Sequence, residues 1–174
     1  MNRDRTNIVQ GEFAVASEAE ANITTLLGSC VATCIFDFEV QVGGMNHFLL
    51  PGDVADSNPN GRYGVHLMEL LINGLMRSGA RRNRLQAKIF GGARTVRGLS
   101  DIGSRNIAFA REFLARESIP IVGESVGGQS GRRIEFWPAN GRVRQILIRE
   151  VPQEVAVPTF KPSGDRNAGE LDLF

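Results

Sequence analysis

The chain carries two cysteines, Cys30 and Cys34, and two histidines, His47 and His66. A thiol beside an imidazole can surrender its proton and become a thiolate, the nucleophilic form of sulfur. Both cysteines fall within "TTLLGSCVATCIFD", Thr24 to Asp37, whose β-branched and apolar content reads as a strand from Val31 to Phe36. On a strand Cys30, Ala32, Cys34 and Phe36 share one face, and Cys30 and Cys34 stand about 13 Å apart. A short polar turn, "DFEV", then leads into "VGGMNHFLLP", Val42 to Pro51. A two-residue loop between Asp37 and Val40 would set Cys30 directly opposite His47, with Cβ atoms about 5 Å apart. A slip of one residue would turn every side chain to the other face.

That pairing suits acyl chemistry. His47 would take the proton of Cys30, the thiolate would attack a carbonyl carbon, and amides near Gly28 and Ser29 would meet the oxyanion. A third group must orient the ring, and Thr24, Thr25, Ser29 and Asn46 all stand near enough to serve. A zinc site from Cys30, Cys34, His47 and His66 ranks behind, because strand spacing separates the thiols too widely for one ion. No metal or other cofactor is expected. Cys34 reads as core packing, and His66, early in a helix, as structural.

The elements that must position these groups alternate. Early strands are expected over Ile8 to Ala16 and Thr24 to Leu27, with another over Gly43 to Leu50 and a loop from Pro51 to Gly61. Leu67, Leu70, Leu71 and Leu75 lie at helical spacing between Tyr63 and Ser78, and Gly79 ends the run. Leu85 to Phe90 reads as a strand. A second helix is expected from Ser104, as its cap, to about Glu117, before Pro120. Ile121 to Ser125, Arg132 to Trp137 and Val143 to Val151 complete the strands, the last two joined at "PANG". The pairs Gly91-Gly92 and Gly127-Gly128 read either as tight turns or as the rim of a substrate groove. "FGGARTVRG" lacks the Lys-Ser or Lys-Thr of a phosphate loop.

With 42% hydrophobic and 22% charged residues and a net charge of +1, bulk electrostatics gives no case for nucleic acid as a partner. "RRNR" and "GRR" read as solvated charges at turns and helix ends. No apolar run approaches the roughly 20 residues of a membrane span, and the polar start lacks a secretory pattern. The expectation is a cytoplasmic protein without membrane insertion, its thiols reduced. The reading is one α/β (α+β) domain over residues 1–152, followed by a flexible tail over 153–174. Within that tail Leu171, Leu173 and Phe174 could form a short docking motif.

"LGSCVATCIFD" and "GGMNHFLLP", followed in order by "AKIFGGA", "IGSRN" and "GGQSGRRIEF", closely resemble the signature of the CheD family, the chemoreceptor glutamine deamidases. The resemblance runs from about Val9 to Val151. It implies layers of packed mixed β-sheets flanked by two main helices, a fold shared with cysteine-dependent toxin deamidases. It also implies a hydrolase that converts receptor glutamine amides to carboxylates with release of ammonia. By the family's pattern Cys30 is the nucleophile, His47 the base and Thr24 the third member, through either its hydroxyl or its backbone carbonyl. The substrate would be the cytoplasmic helices of a chemoreceptor, and some relatives bind a CheC-type phosphatase. The rival readings are a noncatalytic module of the chemotaxis array and an esterase acting on receptor methyl esters.

Overall fold

The computed structural model describes residues 4–50, 59–94 and 102–148. The expected C-terminal tail and its docking motif, and most of the 51–61 loop, lie outside them. Nine strands and two α-helices are described: β1 (Arg5–Asn7), β2 (Phe13–Ala16), β3 (Asn22–Leu27), β4 (Val31–Asp37), β5 (Val42–Phe48), α1 (Pro59–Arg77), β6 (Gln86–Gly91), α2 (Ile102–Arg116), β7 (Ile121–Val126), β8 (Gly131–Trp137) and β9 (Arg142–Ile148). They make two mixed sheets, one ordered β1-β3-β8-β9 and the other β2-β5-β4-β6-β7. The layered α+β architecture expected from the sequence is the one observed.

β4 shows how alternation builds the layers. Val31 and Ile35 face the helices and join a core with Leu67, Met68, Leu71 and Leu75 of α1 and with Ile107, Ala110 and Leu114 of α2. Ala32, Cys34 and Phe36 face the other way and pack with Ile23 and Leu27 of β3 and Ile134 and Phe136 of β8. The five-stranded sheet is thus covered on both sides, which explains why every residue of β4 and β5 is buried. Cys34 is an interior packing residue of the inter-sheet layer, as its sequence context suggested.

Four local expectations are corrected. The run from Ile8 to Ala16 is not one strand: the chain turns at Val9–Glu12, where Gly11 takes φ 89°, and crosses from the four-stranded to the five-stranded sheet. α1 begins at Pro59, since a proline in the first turn forfeits no helical hydrogen bond. α2 begins at Ile102, so Ser104 lies inside its first turn rather than capping it.

The fourth correction concerns register. Asp37 pairs with Val42, so the β4-β5 loop holds four residues rather than two, with Gln41 at φ 56°. His47 therefore lies opposite Ala32, not Cys30. The shift is by two residues, which preserves parity, so Cys30 and His47 still share a face as diagonal neighbours.

That wider loop is anchored at its root. Asp37 is fully buried, accepts the amides of Glu39 and Arg81, and pairs with the Arg84 guanidinium at 2.8 Å. Removing one partner of such a pair strands polar groups in the interior. Asp37→Ala is expected to lower unfolding free energy by about 3 kcal/mol, read as an earlier midpoint in urea with an unchanged slope.

Candidate active site

The site forms where the two sheets and α2 meet. Thr25 belongs to the inner face of β3, in line with Ile23 and Leu27, while Thr24 points to the opposite face. The hydroxyls divide accordingly: Thr24 donates to Asn7 Oδ1 at 3.1 Å, and Thr25 Oγ1 lies 2.7 Å from His47 Nδ1. The structure brings Thr25, not Thr24, to the ring. Alternation along one strand is the reason, since adjacent residues cannot present their side chains to the same partner. Asn46 is removed from contention in the same way. It faces α1, accepting the Thr33 amide and donating to Met68 sulfur.

The tautomer of His47 follows from the count of protons. Thr25 has a single hydroxyl proton, and it is donated to the Ile8 carbonyl at 2.8 Å, an oxygen that can only accept. Thr25 must therefore accept from Nδ1–H, which leaves Nε2 as the bare lone pair. Nε2 is buried and has no hydrogen-bond partner. Burial lowers the His47 pKa to about 4, with Glu12 opposing the shift, so the ring is neutral at pH 7. A neutral imidazole with one nitrogen held and the other open is a base ready for use.

Cys30 stands just ahead of β4, half-buried. Burial raises its pKa to about 11, and its own amide pulls weakly the other way. The thiol is hydrogen-bonded to Gln10 Oε1 at 3.8 Å rather than to His47. His47 Nε2 and the Cys30 thiol are diagonal neighbours and are not hydrogen-bonded to each other. His66 is exposed on α1, and Cys34 is sealed between the sheets. Among the described residues, no group of three or more His, Cys, Asp or Glu side chains could hold a metal ion.

The loop in front of the thiol is fixed through three successive carbonyls. Gly28 accepts the Ala93 amide at 2.9 Å, Ser29 accepts Asn106 Nδ2 at 2.9 Å, and Cys30 accepts the Gly92 amide at 2.7 Å. A side chain at Gly91, which sits at φ 109°, would collide with the Cys30 carbonyl. The Gly91-Gly92 pair is therefore a close-packed support for the Cys30 loop. Gly127 and Gly128 bond to the Gly91 carbonyl and the Arg94 amide, and extend the same support.

Asn106 is fully buried in α2 and does two things with one amide. Besides holding Ser29, its Oδ1 accepts the Leu50 amide at 2.9 Å, just beyond the strand that carries His47. It ties the loop of the sulfur to the strand of the ring. The "IGSRN" motif was visible in the sequence, but nothing in spacing gave Asn106 a role. Gln10, in an ordinary-looking turn, carried no signal at all.

Comparison with known proteins places the chain in context. The family model described as CheD chemotactic sensory transduction matches residues 49–146. A protein of a Caulobacter species named probable chemoreceptor glutamine deamidase CheD is 52% identical over 174 residues, covering 98% of this chain and 93% of that protein. A Rhizobium leguminosarum protein of the same name is 57% identical over 147 residues, covering 83% and 80%. Among solved structures, the Bacillus licheniformis hypothetical protein YfiH overlaps with a TM-score of 0.45 at 13% identity, over 65% of this chain and 49% of that one.

The state of His47 has a consequence for stability. Unfolded, its ring takes a proton near pH 6.5, whereas folded it resists until about pH 4. Between those values the unfolded chain binds more protons, so stability is lost as pH falls through that window, by roughly 3 kcal/mol at its lower end. Urea titrations at pH 7 and pH 4.5 should show this loss, and His47→Gln should lack that component of it.

Proposed function

The chain belongs to the CheD family, and from that membership we propose that it is a hydrolase that deamidates glutamine side chains of chemoreceptors, with Cys30 as nucleophile and His47 as general base. The observation that carries the reading is the open, buried Nε2 of a neutral histidine on the same strand face as a half-buried thiol. The substrate class comes from the relatives' names, and the chemistry is what this pair can do.

The reaction begins when His47 Nε2 takes the thiol proton and sulfur bonds to Cδ of the receptor glutamine, whose carbonyl oxygen gains the negative charge. The Ser29 and Cys30 amides would meet that charge, and the Cys30 amide already favours an anion at its own sulfur. As the carbonyl re-forms, the C–N bond breaks and the nitrogen leaves as ammonia with the proton from His47. A thioester remains. Water, deprotonated by His47, adds to it, the C–S bond breaks, and sulfur recovers the proton while glutamate is released. Thr25 holds the ring in the tautomer each step requires.

Among the described residues, no helix is long and apolar enough to cross a membrane. The substrate is itself a helix side chain, so the reacting groups must be reachable from the surface. The exposed Gln10 beside Cys30 marks the approach.

The reading is tested with a receptor cytoplasmic fragment and mass spectrometry. Wild type should raise the mass of selected glutamine peptides by about one dalton per site, the change from amide to acid, with stoichiometric ammonia. Cys30→Ala should give neither while keeping its circular dichroism spectrum, and full activity in that variant would remove the thiol from the mechanism. The two threonines separate in the same assay. Thr25→Val should cost about 10²-fold in kcat, with Thr25→Ser restoring most of it, while Thr24→Val should stay within about 3-fold of wild type.

A further inference from the structure

The hydrogen-bond partner of the Cys30 thiol is a carboxamide, the same chemical group the enzyme acts on. Gln10 reaches the sulfur from the Val9–Glu12 turn, and that turn is bound to the catalytic strands on either side of it. Before it, the Ile8 carbonyl takes the Thr25 hydroxyl and the Ile8 amide bonds to the Thr24 carbonyl at 2.9 Å. After it, the Gly11 amide bonds to the His47 carbonyl at 2.8 Å, and the Glu12 carbonyl accepts the His47 amide at 3.0 Å. The Val9–Glu12 turn closes on itself through the Glu12 amide and the Val9 carbonyl, and Glu12 Oε2 accepts the Val9 amide. Gln10 is thus an exposed side chain on a fixed backbone, projecting over the nucleophile.

Meanwhile the Nε2 of His47, a residue only 5% exposed, is buried without a partner, so the base waits while the thiol proton is given to Gln10. We propose that the Gln10 carboxamide occupies, in the free enzyme, the subsite that receives the carboxamide of a substrate glutamine, and that substrate enters by displacing it. This rests on the reading of Cys30 as a nucleophile toward glutamine amides, and it specifies where that amide is received. Gln10 is not itself consumed in this arrangement, because the sulfur contacts its carbonyl oxygen as a hydrogen-bond donor at 3.8 Å. Attack would require sulfur over Cδ. Substrate makes the thiol proton available to His47 simply by removing its rival acceptor.

The arithmetic gives the proposal a sharp form. If the subsite is open for a fraction of the time, both the reaction of the thiol with a small carboxamide electrophile and the apparent affinity for a small carboxamide ligand are reduced by that same fraction. Emptying the subsite should therefore raise both by one common factor. A glutamine that only hydrogen-bonded the thiol, without filling the subsite, would change reactivity and leave ligand affinity alone.

The test uses the full-length protein and needs no turnover. Cys30 is alkylated with iodoacetamide in wild type, Gln10→Ala and Gln10→Asn, whose shorter side chain falls short of the sulfur. Cys30→Ala serves as the blank for Cys34, which is fully buried. N-acetylglutamine amide is then added as a protecting ligand. For a subsite open about a fifth of the time, both variants should be alkylated about 5-fold faster, and the half-protecting concentration should fall about 5-fold in each. Alkylation unchanged within a factor of two, slower alkylation, or faster alkylation with unaltered protection would each overturn the proposal. Because these readouts are independent of receptor deamidation, a wild type that releases no ammonia would refute the proposed reaction without deciding this one.

Discussion

One hydroxyl proton organises the site. The Ile8 carbonyl can only accept, so it takes the proton of Thr25; Thr25 must then accept from His47, and the ring is left with its lone pair on Nε2. The three groups come from different places: a segment following β1, a strand of the four-stranded sheet and a strand of the five-stranded sheet. The chain of hydrogen bonds therefore exists only when the two sheets are packed face to face. The Cys34, Phe36, Ile23 and Phe136 layer that brings them together is, in this sense, part of the site. Apolar burial fixes the distance, and the hydrogen bonds fix the proton.

The sulfur is held by a different logic. Its loop lies outside regular strand pairing and would wander if its backbone were free, yet three consecutive carbonyls are bound by Ala93, Asn106 and Gly92. Two of those donors come from a glycine-rich turn that can approach so closely only because Gly91 has no side chain. The third comes from α2, which also grips the Leu50 amide past the end of β5. Cys30 and His47 are thus carried by adjacent segments but referred to a common support beneath them. Relative displacement of the two is limited by Asn106 in a way the sheet alone, with its diagonal pairing, would not achieve.

What was legible in the sequence follows from these two modes. Alternation and helical spacing gave strands and two helices with one buried stripe each, whereas the packed layers came from the family resemblance, and burial of β4 and β5 on both faces was seen only in the structure. The shared face of Cys30 and His47 was legible from the same alternation, and it survived an incorrect loop length because the error was an even number of residues. The choice between Thr24 and Thr25 was not legible from either spacing or family pattern. It depends on which face of β3 turns inward, and so on the pairing of Thr24 with Asn7 in β1. Gln10 and Asn106 were invisible because their roles arise from contacts to residues far away along the chain, and neither residue type announces them.

The electrostatics decide how such a site can work. Burial pushes the Cys30 thiol up to about 11 and the His47 imidazole down to about 4, so in the resting arrangement the proton sits on sulfur. A standing ion pair of the kind found in strongly activated thiols is therefore not the resting state here. On the proposed reaction, the negative charge would pass onward as it forms, from sulfur to the carbonyl oxygen of a bound amide, with proton transfer and attack proceeding together. On that reaction, burial would keep the sulfur protonated until a carbonyl is in place to receive the charge.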